Sequence, residues 1–236
     1  MKLIEIFDQL SHAELSQMKL GNGDLAMNPR DYPRVARSIN LGLDALHKRF
    51  SLKRGKVIVG LEIGLDTYVL SREYAESNTR SQQPVKYILD SNNPFQDTIL
   101  KIESIFDEEG EKVPLNVLGD PKSIHTTDER TLLVPEVTEA DLTRRVMYRK
   151  GHRQLTESDW SSPDNTEVDL PYSHLEALCY FVASRLLNPL GGNEQGNHEG
   201  RYYMNLYEKA CNELKGQGME IERDYGAEKF RSRGFV

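Results

Sequence analysis

The chain has 236 residues, of which 38% are hydrophobic and 28% charged, and its formal net charge is −7. That length fits one large domain or one domain carrying an insertion, and the low apolar share leaves much of the chain as surface, loop or interface. The negative balance argues against a general DNA-binding protein, whose phosphate contacts need clustered cations, but leaves open a protein that DNA slides past. From the first residues, Leu3, Ile6, Phe7 and Leu10 recur at helical spacing,. Glu5 and Asp8 interrupt this stretch too early for a signal peptide,. No apolar run approaches the length of a bilayer span, so the sequence reads as soluble and made in a reducing cytoplasm, with no membrane partner. Ser11 and Glu14 offer a capping box for a second short turn reaching Met18, and Gly21-Asn22-Gly23-Asp24 then breaks the pattern,. After Asn28-Pro29, Tyr32, Val35, Ile39, Leu43 and Leu46 form one helical stripe. Arg34, Arg37, Lys48 and Arg49 lie off that stripe, as a solvated face or, on a rival reading, a nucleic-acid patch.

Beyond Lys53-Arg54-Gly55 the apolar period drops from near four to two. Residues 56–61 and 67–70 read as short strands,. Residues 71–98 are polar and broken by Pro84, Asn92-Asn93 and Pro94, which reads as a loop, long enough to require a role in contacts,. Leu100, Ile102, Ser104 and Phe106 alternate with Lys101, Glu103 and Ile105; Asp107-Glu108-Glu109-Gly110 then turns the chain into 113–117 as a hairpin. Residues 131–134 and 145–149 complete a small antiparallel sheet. From Leu170 the helical period returns. Pro171 suits a first turn, and Leu175, Leu178, Cys179, Val182 and Leu186 line one face,. Pro189-Leu190-Gly191-Gly192 ends that helix, and Tyr203, Leu206, Tyr207, Ala210 and Leu214 stripe its partner,. Each flanking helix pair is too short to stand alone, so the helices from the two ends of the sequence are expected to pack together around an inserted β-domain.

Chemistry-bearing residues are scattered. His174, Cys179, Cys211 and His198 lack the spacing of a zinc site, and the two thiols read as reduced core positions,. The loop Gly191-Gly192-Asn193-Glu194-Gln195-Gly196 lacks the Lys-Ser/Thr of a phosphate cradle and follows a helix where a strand is needed,. Asp159, Asp164, Glu167 and Asp169 sit in a polar linker, with Asp169 placed to cap the next helix,. His152 and Asp141 have no nucleophile elbow beside them, and Trp160 reads as a packing anchor,. The reading is therefore of a non-enzyme, with no catalytic, metal or cofactor residues assigned.

The last eleven residues, Gly226-Ala-Glu-Lys-Phe-Arg-Ser-Arg-Gly-Phe-Val236, carry neither a helical nor a strand period. Lys229, Arg231 and Arg233 supply cations; Phe230, Phe235 and Val236 supply apolar anchors. Such a segment is either a frayed terminus or a tail that docks on another molecule.

With this layout assembled, the chain resembles phage head-to-tail adaptor proteins of the podovirus type, the neck proteins beneath the portal. Leu10-Ser-His-Ala-Glu-Leu-Ser-Gln-Met-Lys-Leu20, Asp31-Tyr-Pro-Arg-Val35 and Ile39-Asn-Leu-Gly-Leu-Asp-Ala-Leu-His-Lys-Arg-Phe50 are similar to that family's opening helices. Pro84-Val-Lys-Tyr-Ile-Leu-Asp90 and Pro94-Phe-Gln-Asp-Thr98 are similar to its long loop. Ile102-Glu-Ser-Ile-Phe-Asp-Glu-Glu-Gly110, followed by Val113-Pro-Leu-Asn116, resembles its hairpin. Asp169-Leu-Pro-Tyr172, the Gly-Gly loop and Tyr207-Glu-Lys-Ala210 resemble its closing helices, and Lys229 to Val236 its terminal segment. These are helix and turn patterns without diagnostic chemistry; their order along nearly the whole chain carries the resemblance.

The resemblance implies a structural virion protein in the neck, present in the host cytoplasm during assembly. It would form a ring of twelve copies that binds the portal protein above and a tail tube or nozzle protein below. DNA would pass through the lumen without specific binding. The portal-binding tail would be Phe230, Arg231, Arg233, Gly234, Phe235 and Val236. Eleven extended residues reach about 35 Å, enough to cross from one ring to another. One tail alone would bind weakly, because ordering a free segment consumes contact energy. A dozen tethered tails would hold durably. The expected fold is α+β: an antiparallel helix bundle from N- and C-terminal helices, with an inserted small antiparallel β-domain and an extended C-terminal tail. Its expected segments are bundle helices over 1–55, a β-domain with its long loop over 56–150, a linker over 151–170, bundle helices over 171–218 and the tail over 219–236. A helical DNA-binding or regulatory module, or a hydrolase with an unrecognised site, are the competing readings.

Overall fold

A computed structural model describes residues 1–16, 27–91, 93–135, 142–187 and 194–218, with only the backbone of 194–197 described. It is a mixed fold of helices and antiparallel sheets, α+β in class, and it divides into two compact units. One is Lys53–Gly151. The other joins Met1–Leu52 to the described residues from His152 onward.

The helical unit begins with α1 (Leu3–His12), which buries Leu3, Ile6, Phe7 and Leu10. The carboxylate of Glu5 accepts the Lys2 N–H at 2.9 Å and so satisfies one of the orphan donors of the first turn,. The capping box expected at Ser11 and Glu14 does not form. Ser11 lies inside α1, and its hydroxyl donates back to the Asp8 carbonyl at 3.0 Å. Helix α2 (Tyr32–Arg49), with Pro33 in its first turn, buries the expected stripe at Val35, Ile39, Leu43 and Leu46,. Tyr32, at the start of that stripe, is half-buried and stacks on Phe7 with centroids 4.4 Å apart.

Residues 151–170, expected as a polar linker, instead supply core. They contain the short helix α3 (Glu157–Trp160), and Leu155, Val168 and Leu170 are buried. Backbone hydrogen bonds tie them to the first residues of the chain: Leu3 N–H to the Thr166 carbonyl at 2.9 Å, and Val168 N–H to the Met1 carbonyl at 2.8 Å. A 3-10 turn (Tyr172–His174) leads into α4 (Leu175–Leu186), so Pro171, not Asp169, stands at the cap position. Helix α4 is buried on nearly every side, with Ala177, Leu178, Cys179, Phe181, Val182, Ala183 and Leu186 all inside. The last described helix, α5 (Glu194–Gly216), buries Tyr207, Ala210, Cys211 and Leu214. One apolar cluster runs through α1, α2, α4 and α5. The approach of α2 to α4 requires Gly42: a Cβ there would lie 2.6 Å from Leu178 Cδ1 and 3.0 Å from the Phe181 ring.

The β-unit holds two sheets where one was expected. β1 (Arg54–Gly60), β3 (Ile88–Leu89), β4 (Ile99–Phe106), β5 (Lys112–Val113) and β8 (Thr143–Lys150) form a five-stranded antiparallel sheet in the order β3-β1-β8-β4-β5. β2 (Thr67–Val69), β6 (His125–Thr126) and β7 (Thr131–Leu133) form a second sheet in the order β2-β7-β6. Simple alternation fails in β4, where the buried residues are Ile99, Ile102 and Ile105. Two register shifts against β8 explain the spacing of three. Leu100 and Glu103 are the extra residues, and the shifts keep all three isoleucines opposite Lys150, Tyr148 and Val146,. Among the described residues no helix is long and apolar enough to cross a membrane.

Candidate functional site

The tail residues singled out above, Phe230, Arg231, Arg233, Gly234, Phe235 and Val236, lie outside the described residues, as does Asp141. What the structure does position is the segment 71–98, which is not a plain loop. It contains a 3-10 turn (Arg72–Tyr74) and strand β3, and it sends Ala75, Tyr87, Ile88 and Phe95 into the core of the β-unit. Two groups brace it from within.

The first is Asp90, which is 6% exposed. Its carboxylate accepts the Ser77 N–H at 2.8 Å, the Ser77 hydroxyl at 2.6 Å and the Phe95 N–H at 2.8 Å. Burial pushes this carboxyl up, yet the hydrogen bonds from Phe95 and Ser77 outweigh it, so the group titrates below its ordinary value,. The second is Tyr87, whose hydroxyl accepts the Val69 N–H at 2.8 Å and donates to the Val69 carbonyl at 2.9 Å. Tyr74 stacks on the Tyr87 ring at 4.7 Å, and Tyr68 meets it edge-on at 5.0 Å. Burial pushes the Tyr87 phenol up. Lys86 adds a strap by donating from Nζ to the Asn78 carbonyl at 2.6 Å. The outer side of the segment is a polar depression of about 400 Å³ lined by Glu73, Asn78, Arg80, Ser81, Gln82 and Gln83.

In the helical unit three buried histidines come from α2, the stretch before α3 and the 3-10 turn: His47, His152 and His174. His47 Nε2 lies 3.1 Å from the Asp169 carbonyl, and the His47 and His152 rings are 5.7 Å apart. Both nitrogens of His152 face oxygens, Nδ1 at 2.7 Å from the Arg153 carbonyl and Nε2 at 3.2 Å from both the Asn40 carbonyl and the Asp44 carboxylate. His174 sits edge-on to Phe50 at 4.8 Å; its Nδ1 is 3.0 Å from the Ser173 hydroxyl, and its Nε2 has no hydrogen-bond partner. Burial, followed by the neighbouring His47, lowers its basicity. The Asp159 carboxylate takes a paired hydrogen bond from Arg153 at 2.7 and 2.9 Å and accepts the Thr156 N–H at 2.7 Å. Arg153 before all else holds it down to about 2. Asp159 is therefore the capping carboxylate of this region. Asp164, Glu167 and Asp169 are exposed.

The sequence-level zinc candidates stay apart in role. Cys179 and Cys211 are buried thiols, burial pushes Cys179 up, and His198 is exposed. Among the described residues no group of three or more His, Cys, Asp or Glu side chains gathers as a metal cage. Trp160 is half-buried and packs against the helical core. On α2, Arg34, Arg37 and Lys48 are exposed, whereas Arg49 turns to α5 and donates to Glu208 at 2.6 Å and Asn212 at 3.0 Å.

Compared with known proteins, the chain matches no family model and no curated protein. The braces Asp90 and Tyr87 were not singled out from sequence. Asp90-Ser91-Asn92-Asn93-Pro94 signals a turn, but nothing in it says that the carboxylate reaches back to Ser77.

Proposed function

We propose that this chain is a structural virion protein, a head-to-tail adaptor that assembles as a ring, binds the portal through residues 230–236 and offers its β-unit to a neighbour or to the tail. The helices from the two flanks would form the bundle of the adaptor body. The observation that carries the reading is the segment 71–98. A stretch this long and polar is expected to be loose, yet Asp90 and the Tyr68, Tyr74 and Tyr87 cluster hold it in one shape while its outer side stays polar. Such bracing suits a surface prepared for contact, because a segment ordered beforehand loses less entropy on docking. The ordered run of family-like stretches along the sequence supports the same reading.

The test is to mix the purified protein with a portal ring and measure the mass of the product, then repeat with residues 231–236 deleted. The intact chain is expected to add a complete ring, and the truncated chain to bind at least tenfold more weakly, the loss of about 1.4 kcal/mol per site. Unchanged binding after truncation would overturn the tail assignment. A portal that takes up no copies would overturn the adaptor reading itself.

A further inference from the structure

The register of the five-stranded sheet sorts its side chains into two faces. Val57, Val59, Val146, Tyr148, Ile99, Ile102 and Ile105 point into the β-unit core. The opposite face is built in rows across β1, β8 and β4. Arg54, Arg149 and Lys101 stand side by side, then Lys56, Met147 and Ser104, then Ile58, Arg145 and Phe106. Five cations thus share one sheet face of a chain whose net charge is −7. Glu103, at the second irregularity of β4, pairs with Arg54 at 3.1 Å and with Arg149 at 3.3 Å. Lys56, Lys101 and Arg145 are exposed. Between the cations lie Ile58, Met147 and Phe106, half-buried but packed into neither core.

We propose that this face is the contact surface for a second copy of the same chain, and that the occupant is the β4–β5 hairpin tip, where Glu108 and Glu109 are exposed. The proposal deepens the ring reading above and rests on it. Three features select the partner. Apolar groups interleaved with arginine and methionine are the composition of a protein interface, whereas a phosphate backbone needs only cations. The overall charge repels a polyanion at long range. The acidic tip is complementary to the basic face, and it continues the strand β4 that helps to build that face, so the two present different patches of one unit. A contact between different patches is heterologous, and heterologous contacts close into rings or run on as filaments.

Zero-length carbodiimide coupling of the full-length chain tests this directly, using an equal mixture of nitrogen-15-labelled and unlabelled protein. Cross-linked peptides of mixed isotope joining Glu108 or Glu109 to Lys56 or Lys101 are expected, with a yield that falls severalfold between about 0.05 and 0.5 M salt. A face variant, Lys56→Glu with Lys101→Glu and Arg145→Glu, and a tip variant, Glu108→Lys with Glu109→Lys, should each associate at least tenfold more weakly alone. Mixing them should restore association, because every face then meets a tip of opposite sign. That rescue also shows that both variants are folded. Inter-copy cross-links confined to other residues, or variants that associate like the parent, overturn the surface while leaving the ring reading intact. So does a face variant that loses duplex DNA binding with self-association unchanged, since the face would then serve nucleic acid. Absence of any inter-copy cross-link overturns this contact, and the portal mass measurement then decides the ring separately.

Discussion

His174 shows how a single side chain ties stability to pH. It is 1% exposed, its Nε2 has no partner, and burial holds its basicity below the ordinary value of 6.5. Above that value both the folded and unfolded chains carry the neutral ring, and stability is full. As pH falls below it the unfolded chain takes up the proton before the folded one, so stability declines. Urea midpoints are therefore expected to drop from pH 7.5 to pH 5, and more shallowly in His174→Met; an unchanged slope in the variant would remove the assignment. Asp159 works in the same direction at lower pH. Its contribution is present above its ordinary value of 3.8 and lost as the pH falls toward about 2. In sequence Asp159 was visible only as one of four linker carboxylates, with the capping role given to Asp169. The burial of His174 was not visible, because nothing local distinguishes a core histidine from a surface one.

At the scale of elements, what was legible depended on how much local repetition each carried. The stripe from Val35 to Leu46 predicts α2, and that helix buries it. Strands β3, β5 and β6 are two residues long and exist only through their partners, so no periodicity could reveal them, and β2 and β7, though read as strands, carried no sign that they pair in a sheet of their own,. In β4 the alternation was read one way and built another, because the irregularities at Leu100 and Glu103 follow from pairing with β8 and not from the strand's own sequence. The linker hid its core role for a similar reason: Leu155, Val168 and Leu170 are spaced too irregularly to form a stripe, and they are buried only because α3 and the first residues of the chain close around them. Helix packing gives a prediction here. Gly42→Leu forces side-chain bulk against Leu178 and Phe181, where even a Cβ is crowded, and should cost about 1–3 kcal/mol in denaturant unfolding,. A variant as stable as the parent would mean that α2 and α4 do not meet as described.

For the molecule as a whole, two separate cores imply two separable stabilities. The helical core contains Cys179 and Cys211 and packs against Trp160, while Tyr68, Tyr74 and Tyr87 form the aromatic cluster of the β-unit. The chain has one tryptophan and two cysteines, so tryptophan fluorescence and thiol labelling report on the helical unit alone. Burial keeps both thiols poorly ionised in the folded state, so labelling requires that unit to open,. Asp90→Ala removes a buried carboxylate that accepts three hydrogen bonds and leaves the Ser77 and Phe95 donors unmet, at a cost of roughly 2–4 kcal/mol,. That loss should move to lower denaturant the part of the near-ultraviolet tyrosine signal owed to Tyr68, Tyr74, Tyr87 and Tyr148, while tryptophan fluorescence, thiol protection and the tyrosines of the helical unit stay in place. Gly42→Leu should do the reverse. If either substitution shifts all three signals together, the units unfold as one cooperative body, and bracing of the segment 71–98 is then a property of the entire fold. Independent shifts would mean that the β-unit can loosen and re-form its braced segment while the helical unit stays closed, the behaviour that the proposed neck role would need if neighbours arrive one after another.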